Sequence, residues 1–239
     1  MALFYGYGFG YYFDPTYILV IIGVILTLLA SARVQTTFAK YSKIRSLSGY
    51  TGAEAAQRIL RSAGIYDVSV QRVGGNLTDH YDPRSKVLKL SDSVYGSTSV
   101  AAIGVAAHEC GHAIQHSKDY APLKIRGALV PVANFGSMLS WPLIIIGVMM
   151  SWSETLITLG IVIFSAAVLF QLITLPVEFN ASNRAIRVLA DSGILQSSEV
   201  SQTKKVLGAA ALTYVAGAAA SILQLLRLII LFGGNRDRD

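Results

Sequence analysis

The sequence predicts a membrane α-helical protein with four transmembrane helices and a small cytoplasmic α+β portion. Three observations predict it. Of 239 residues, 53% are hydrophobic and only 14% charged, with mean hydropathy +0.50, a balance unlike that of a soluble domain. Four stretches, Pro15 to Ala32, Gly127 to Ser153, Thr155 to Val177 and Val206 to Leu226, lack formal charge for about the 20 residues that cross a hydrocarbon core. Lys and Arg are also unevenly placed: thirteen of the twenty lie between the first two stretches, beginning at Arg33, and four (Arg184, Arg187, Lys204, Lys205) between the last two. The same figures exclude collagen-like and disordered classes, since glycine is aperiodic, proline numbers six and net charge is only +6. A single cysteine, Cys110, excludes an intrachain disulfide framework.

Taken in order, the spans are expected at about residues 15–34, 136–152, 155–177 and 206–232. The first follows an aromatic lead (Phe4, Tyr5, Tyr7, Phe9, Tyr11, Tyr12, Phe13) suited to the headgroup layer, and without a basic n-region it reads as a retained anchor. Pro131 and Pro142 interrupt the second stretch, which places its span after about Gly136. The fourth is rich in Ala and Gly, a surface that lets helices approach closely in lipid. The positive-inside rule makes both long loops, about 35–135 and 178–205, cytoplasmic, with Arg236 and Arg238 ending outside. The bilayer accounts for the positive charge, which is not interleaved with aromatics, and no nucleic acid is implied.

In the first loop, Thr51-Gly52-Ala53-Glu54 has capping-box spacing and opens a short amphipathic helix that ends at Gly64. Val68 to Leu90 reads as extended segments separated by the turns Gly74-Gly75-Asn76 and Asp82-Pro83-Arg84-Ser85, which predicts a small antiparallel sheet. Ser97 to Ser117 then reads as a helix.

That helix carries His108-Glu109-Cys110-Gly111-His112. Two histidines at i and i+4 stand one turn apart on one face, so both imidazoles reach one Zn²⁺, while Glu109 between them can serve a water as general base. Cys110 points away from that face and reads as a small apolar residue. A zinc hydrolase needs a third protein ligand and an open position. Gln115 and Lys118 stand where a second glycine and a third histidine would extend the motif, and His116 lies about 12 Å of helix rise from His108. Glu178, where the third span emerges towards the same side, is the best candidate. Asp79, Asp82 and Asp92 sit in turns where acidic residues are expected anyway.

HECGHAIQH at His108 to His116, LTDHYDPR at Leu77 to Arg84 and PVEFNASNRA at Pro176 to Ala185, three motifs in order along nearly the whole chain, resemble the YugP-like neutral zinc metallopeptidases of bacterial membranes. At longer range they resemble HtpX-like and CAAX prenyl protease-type membrane metallopeptidases, where an Asp follows the ligand Glu by four residues. Here Ser182 stands in that place, and a hydroxyl can hydrogen-bond a ligand without adding charge. The resemblance implies a zincin-like, gluzincin-type metalloendopeptidase of the plasma membrane, with one zinc ion, a polypeptide substrate and a cytoplasmic active site. It leaves room for a partner subunit or oligomer. His116, His80 and Arg184 are candidates for steadying oxyanion or substrate, and the Leu77 to Leu90 hairpin could offer an edge strand to an extended peptide.

Two rivals remain. An intramembrane site-two-type protease also uses His-Glu-x-x-His, but only about a dozen uncharged residues precede His108, too few to span. A scaffold with a structural zinc site would prefer four protein ligands and has no need of Glu109.

Overall fold

A computed structural model describes residues 14–233, so the aromatic lead and the tail with Arg236 and Arg238 lie outside the described residues. Four of its helices are long and apolar enough to cross a membrane: α1 (Tyr17–Tyr41), α5 (Ala121–Met149), α6 (Glu154–Asp191) and α7 (Ser197–Gly233). The chain is a membrane protein by this measure. Between α1 and α5 come α2 (Gly52–Ser62), β1 (Ser69–Val73), β2 (His80–Asp82), β3 (Val87–Ser91), α3 (Asp92–Tyr95) and α4 (Val100–Ser117).

The capping box at the start of α2 forms as the sequence predicts: Thr51 Oγ1 accepts from the Glu54 amide at 3.2 Å, and Glu54 Oε2 accepts from the Thr51 amide at 2.8 Å. Ala55, Ala56, Ile59 and Leu60 then face inward against α4 and the sheet. Fully enclosed Ile59, Leu88, Leu90 and Ile103 anchor this core, each burial worth about 1.5–3 kcal/mol. Cys110 lies within it, its thiol directed at the Ala56 carbonyl, and burial pushes the thiol pKa well up, which leaves it a packing residue.

The sheet departs from the antiparallel expectation. Its order is β1-β3-β2, with β3 antiparallel to β2 but parallel to β1. The β1–β2 connection therefore forms no hairpin; Gly75 takes a left-handed φ of 106° there, its amide and carbonyl bonded to Asp92. Both β1 and β2 are edges, and β2 faces α4.

The helix that carries the second span is longer than the stretch expected at 136–152. α5 runs unbroken from Ala121 through Pro131 and Pro142, although each proline removes one intrahelical hydrogen bond. Long membrane helices accommodate this loss because a broken helix in lipid would expose more unpaired backbone. It ends at Met149, before the expected Trp152, where Ser151 and Trp152 turn the chain with φ of 55° and 63°. α6 continues past the expected span end at 177 as one helix of 38 residues, carrying Glu178 on the same rod that crosses the bilayer.

Within the bundle α5 packs on α6, α6 on α7 and α7 on α1, while α4 lies across α6 and α7. Close approach depends on glycine at two crossings that matter to the site. A Cβ on Gly111 of α4 would stand 2.5 Å from the Ala181 carbonyl oxygen of α6, and one on Gly104 would stand 2.7 Å from Thr203 Cγ2 of α7.

Candidate metal centre

The Gly111–Ala181 crossing brings the motif helix against the far end of the third span. As a result His108 and His112 on α4 face Glu178 on α6: His108 Nε2 lies 3.3 Å and His112 Nε2 3.5 Å from Glu178 Oε2. The three ligand atoms lie within 4.8 Å of one another, and the imidazoles meet edge to face at 86°. Nitrogen and oxygen ligands about 2.0–2.1 Å from a tetrahedral zinc stand roughly 3.3 Å apart, so both His–Glu separations already match. The donor types and the two His–Glu separations fit zinc, and no fourth His, Cys, Asp or Glu joins the group among the described residues.

Each histidine is oriented through its other nitrogen. His108 Nδ1 is 3.1 Å from Ser182 Oγ, the position where the sequence departs from a carboxylate. His112 Nδ1 is 3.0 Å from Gln115 Oε1, whose amide donates to the Val177 carbonyl at 2.8 Å and to Asn180 Oδ1 at 3.0 Å. Fully buried Gln115 thus ties α4 to α6 beside the ligands. With Nδ1 protonated on both rings, the Nε2 lone pairs face the common centre. Burial alone would lower the pKa of His112, yet the Glu178 carboxylate, the Glu109 charge and the Gln115 bond outweigh it and raise the net value.

A groove of about 490 Å³ opens over this centre, lined by His108, Glu109, His112 and Glu178 from the motif side and by β2 and the first turns of α5 opposite. Glu109 is buried along its wall. His116 lines the groove but is engaged by Tyr81, whose hydroxyl lies 2.8 Å from His116 Nδ1. Burial, then the charges of Asp67 and Asp82, push the Tyr81 pKa up to about 12, so the hydroxyl keeps its proton beside His116. His80 also lines the groove, exposed, its Nδ1 2.9 Å from the Thr78 carbonyl. Arg184 does not line it: its Nε donates to Asn180 Oδ1 at 2.7 Å and its guanidinium lies over Tyr120, which places it behind Gln115.

The three aspartates set aside as ligands all brace turns. Asp79 accepts from the Ser91 amide and hydroxyl, Asp82 from the Arg84 amide and Ser85 hydroxyl, and Asp92 from Arg72 and the Gly75 amide. Sequence reasoning missed four residues at the centre. Gln115 and Asn180 form the clamp described above. Arg126 of α5 reaches Glu178 Oε1 at 3.4 Å, its Nε buried without a hydrogen-bond partner, and Tyr214 of α7 lines the groove beside Glu178. Gln115 carried a legible signal, since it follows His112 by three residues on the same helix face.

The family described as "Putative neutral zinc metallopeptidase" matches residues 16–233, which include all four long helices and the whole centre. The chain belongs to this family. It is also 50% identical over 214 residues to the "Putative membrane protease YugP" of Bacillus subtilis (strain 168), an alignment covering 90% of this chain and 95% of that protein. No solved structure matches. Membership makes a zinc peptidase of the membrane the coarse identity, with a polypeptide substrate and a lipid bilayer as surroundings.

Proposed function

We propose that the protein is a zinc metalloendopeptidase of the bacterial plasma membrane, gluzincin-type, with one zinc held by His108, His112 and Glu178 and with its active site on the cytoplasmic side. The observation that carries this reading is the convergence of three ligand atoms on one centre with the buried Glu109 carboxylate on the wall of the same groove. The cytoplasmic assignment rests on the seventeen Lys and Arg in the two long loops.

Zinc at this centre would supply Lewis acidity, acidifying a water and polarising the scissile carbonyl. Glu109 then accepts the proton of the attacking water and returns it to the leaving amine nitrogen. Ser182 and Gln115 hold the two imidazoles in the tautomer that leaves Nε2 free, and Arg126 keeps the second oxygen of Glu178 occupied. Tyr81 holds His116, and His116 with His80 stands where a peptide laid along the β2 edge would pass. The reading needs no nucleic acid and no partner subunit.

The test is hydrolysis of a quenched, unstructured peptide library by detergent-purified protein beside Glu109→Gln, with zinc quantified in both. Cleavage by the wild type alone, at about one zinc per chain in each, is the expected result. Zinc in both with cleavage by neither would favour a membrane scaffold holding a structural ion.

A further inference from the structure

The catalytic groove lies at the boundary of the hydrocarbon layer, and three helices agree on this level. At the far end of the bundle α5 stops at Met149 and α6 starts at Glu154, while Trp152 between them packs on Phe232 of α7 with ring centroids 5.9 Å apart. Those helix ends share one level, and an aromatic pair there suits the far headgroup layer. A hydrocarbon core of about 30 Å is crossed by about 20 helical residues. Counting that distance back from the far end reaches about position 129 on α5, 174 on α6 and 212 on α7. The groove is lined by Gly127 and Val130 of α5, Glu178 of α6 and Tyr214 of α7, each within about 6 Å of that level.

The groove also runs along the first turns of α5. α5 packs along α6 but makes no comparable contact with α4 or α7, which leaves a cleft beside α5. Its wall is apolar at Leu123 and Val130, and at Gly127 an added Cβ would meet nothing within 4 Å. A chain lying in that cleft passes the Arg126 side chain, which lines the groove beside Glu178.

We propose that the substrates are polypeptides anchored in the same bilayer, cut close to where they leave the hydrocarbon; this rests on the peptidase reading above. Glu178 stands about 6 Å beyond the boundary, a distance two residues of extended chain cover. Cut sites therefore fall within about five residues of the end of a substrate's transmembrane segment.

The experiment uses zinc-loaded protein in phosphatidylethanolamine–phosphatidylglycerol vesicles and one cleavable sequence in three settings: as a free peptide, fused directly to a transmembrane helix, and fused through a glycine-serine spacer of about fifteen residues. Glu109→Gln is the blank. The spacer substrate shares confinement to the membrane, so its difference from the direct fusion isolates closeness to the boundary. The direct fusion should be cut at least about tenfold faster than the spacer form. Equal rates for both fusions, or fastest cleavage of the free peptide, would overturn the substrate class and leave the peptidase reading intact. Absence of cleavage in all three settings would remove both.

Discussion

Gly111→Ala adds one methyl group to the motif helix and should cost the protein its metal. The new Cβ would lie 2.5 Å from the Ala181 carbonyl oxygen and 3.0 Å from its carbon, where ordinary contact begins at 3.4 Å. Both atoms are backbone, so no rotamer change relieves the clash, and α4 and α6 must separate locally by about 0.9 Å. That separation opens the distances on which the centre depends, because His108 and His112 ride on α4 and Glu178 and Ser182 on α6. Zinc sites hold ligand distances to within about 0.2 Å, so a shift several times larger weakens binding. Overpacking of this kind costs about 1–3 kcal/mol, and a similar loss in metal binding is about a tenfold or greater drop in zinc affinity. Chelator competition on purified protein measures it, with circular dichroism to verify the helices. Gly208→Ala on α7 is the control, since a Cβ there meets nothing within 4 Å. If Gly111→Ala bound zinc as tightly as the wild type, the close crossing would not be what sets the centre, and the reasoning would fail.

Ser182→Ala removes the partner of His108 Nδ1 and should lower zinc affinity about 10- to 100-fold without unfolding the protein; unchanged affinity would deny the orienting role. Gln115→Leu leaves the Val177 carbonyl, Asn180 and His112 Nδ1 short of a partner in a buried place, and thermal unfolding of the metal-free protein should register a loss of about 1–3 kcal/mol. Arg126→Met should reduce kcat/KM for peptide hydrolysis while zinc content holds at one per chain; loss of zinc in step with activity would make Arg126 only a support for Glu178. The raised pKa of His112 makes opposite predictions for the two forms of the protein. In the metal-free protein it adds stability that is complete below the ordinary imidazole value of about 6.5 and lost as pH rises through the raised value. Zinc displaces that proton, so zinc affinity should climb over the same interval; a pH-independent affinity in chelator titrations would contradict it.

What was legible in the sequence was local chemistry. The His-x-x-x-His spacing sets two imidazoles on one helix face whatever surrounds them, and Thr51 with Glu54 closes a cap within one turn. Glu178 was legible because a carboxylate at the end of an apolar span has few bland explanations, and Ser182 followed one turn later. Strand pairing was not legible, because β3 lies between β1 and β2 for reasons of long-range packing: Leu88 and Leu90 must reach the core under α2 and α4. The prolines of α5 do not end their helix, because a helix broken in lipid would expose unpaired backbone. Arg126 was hidden among the positive charges that report topology, and Tyr214 in a run of alanines. Nothing local marks either as a neighbour of Glu178, since α5, α6 and α7 come together only in the bundle.

The distribution of rigidity around the centre follows from these contacts. α4 and α6 are joined by the Gly111 crossing, the Gln115 clamp and the Ser182 bond, which together hold two histidines and a glutamate around one centre. These contacts join the core beneath the sheet to the membrane bundle, so the wall that carries the ligands is rigid. The opposite wall is different: α5 packs chiefly on α6, and Arg126 reaches the centre through a 3.4 Å contact with Glu178. A groove with one fixed wall and one lightly held wall can widen without moving the ligands. A disulfide engineered between the first turns of α5 and the facing loop before β2 should therefore slow hydrolysis while leaving zinc affinity unchanged, and reduction should restore the rate. If the crosslinked protein hydrolysed peptides at full speed, α5 would be a static wall, and entry of substrate would have to be sought along β2 alone.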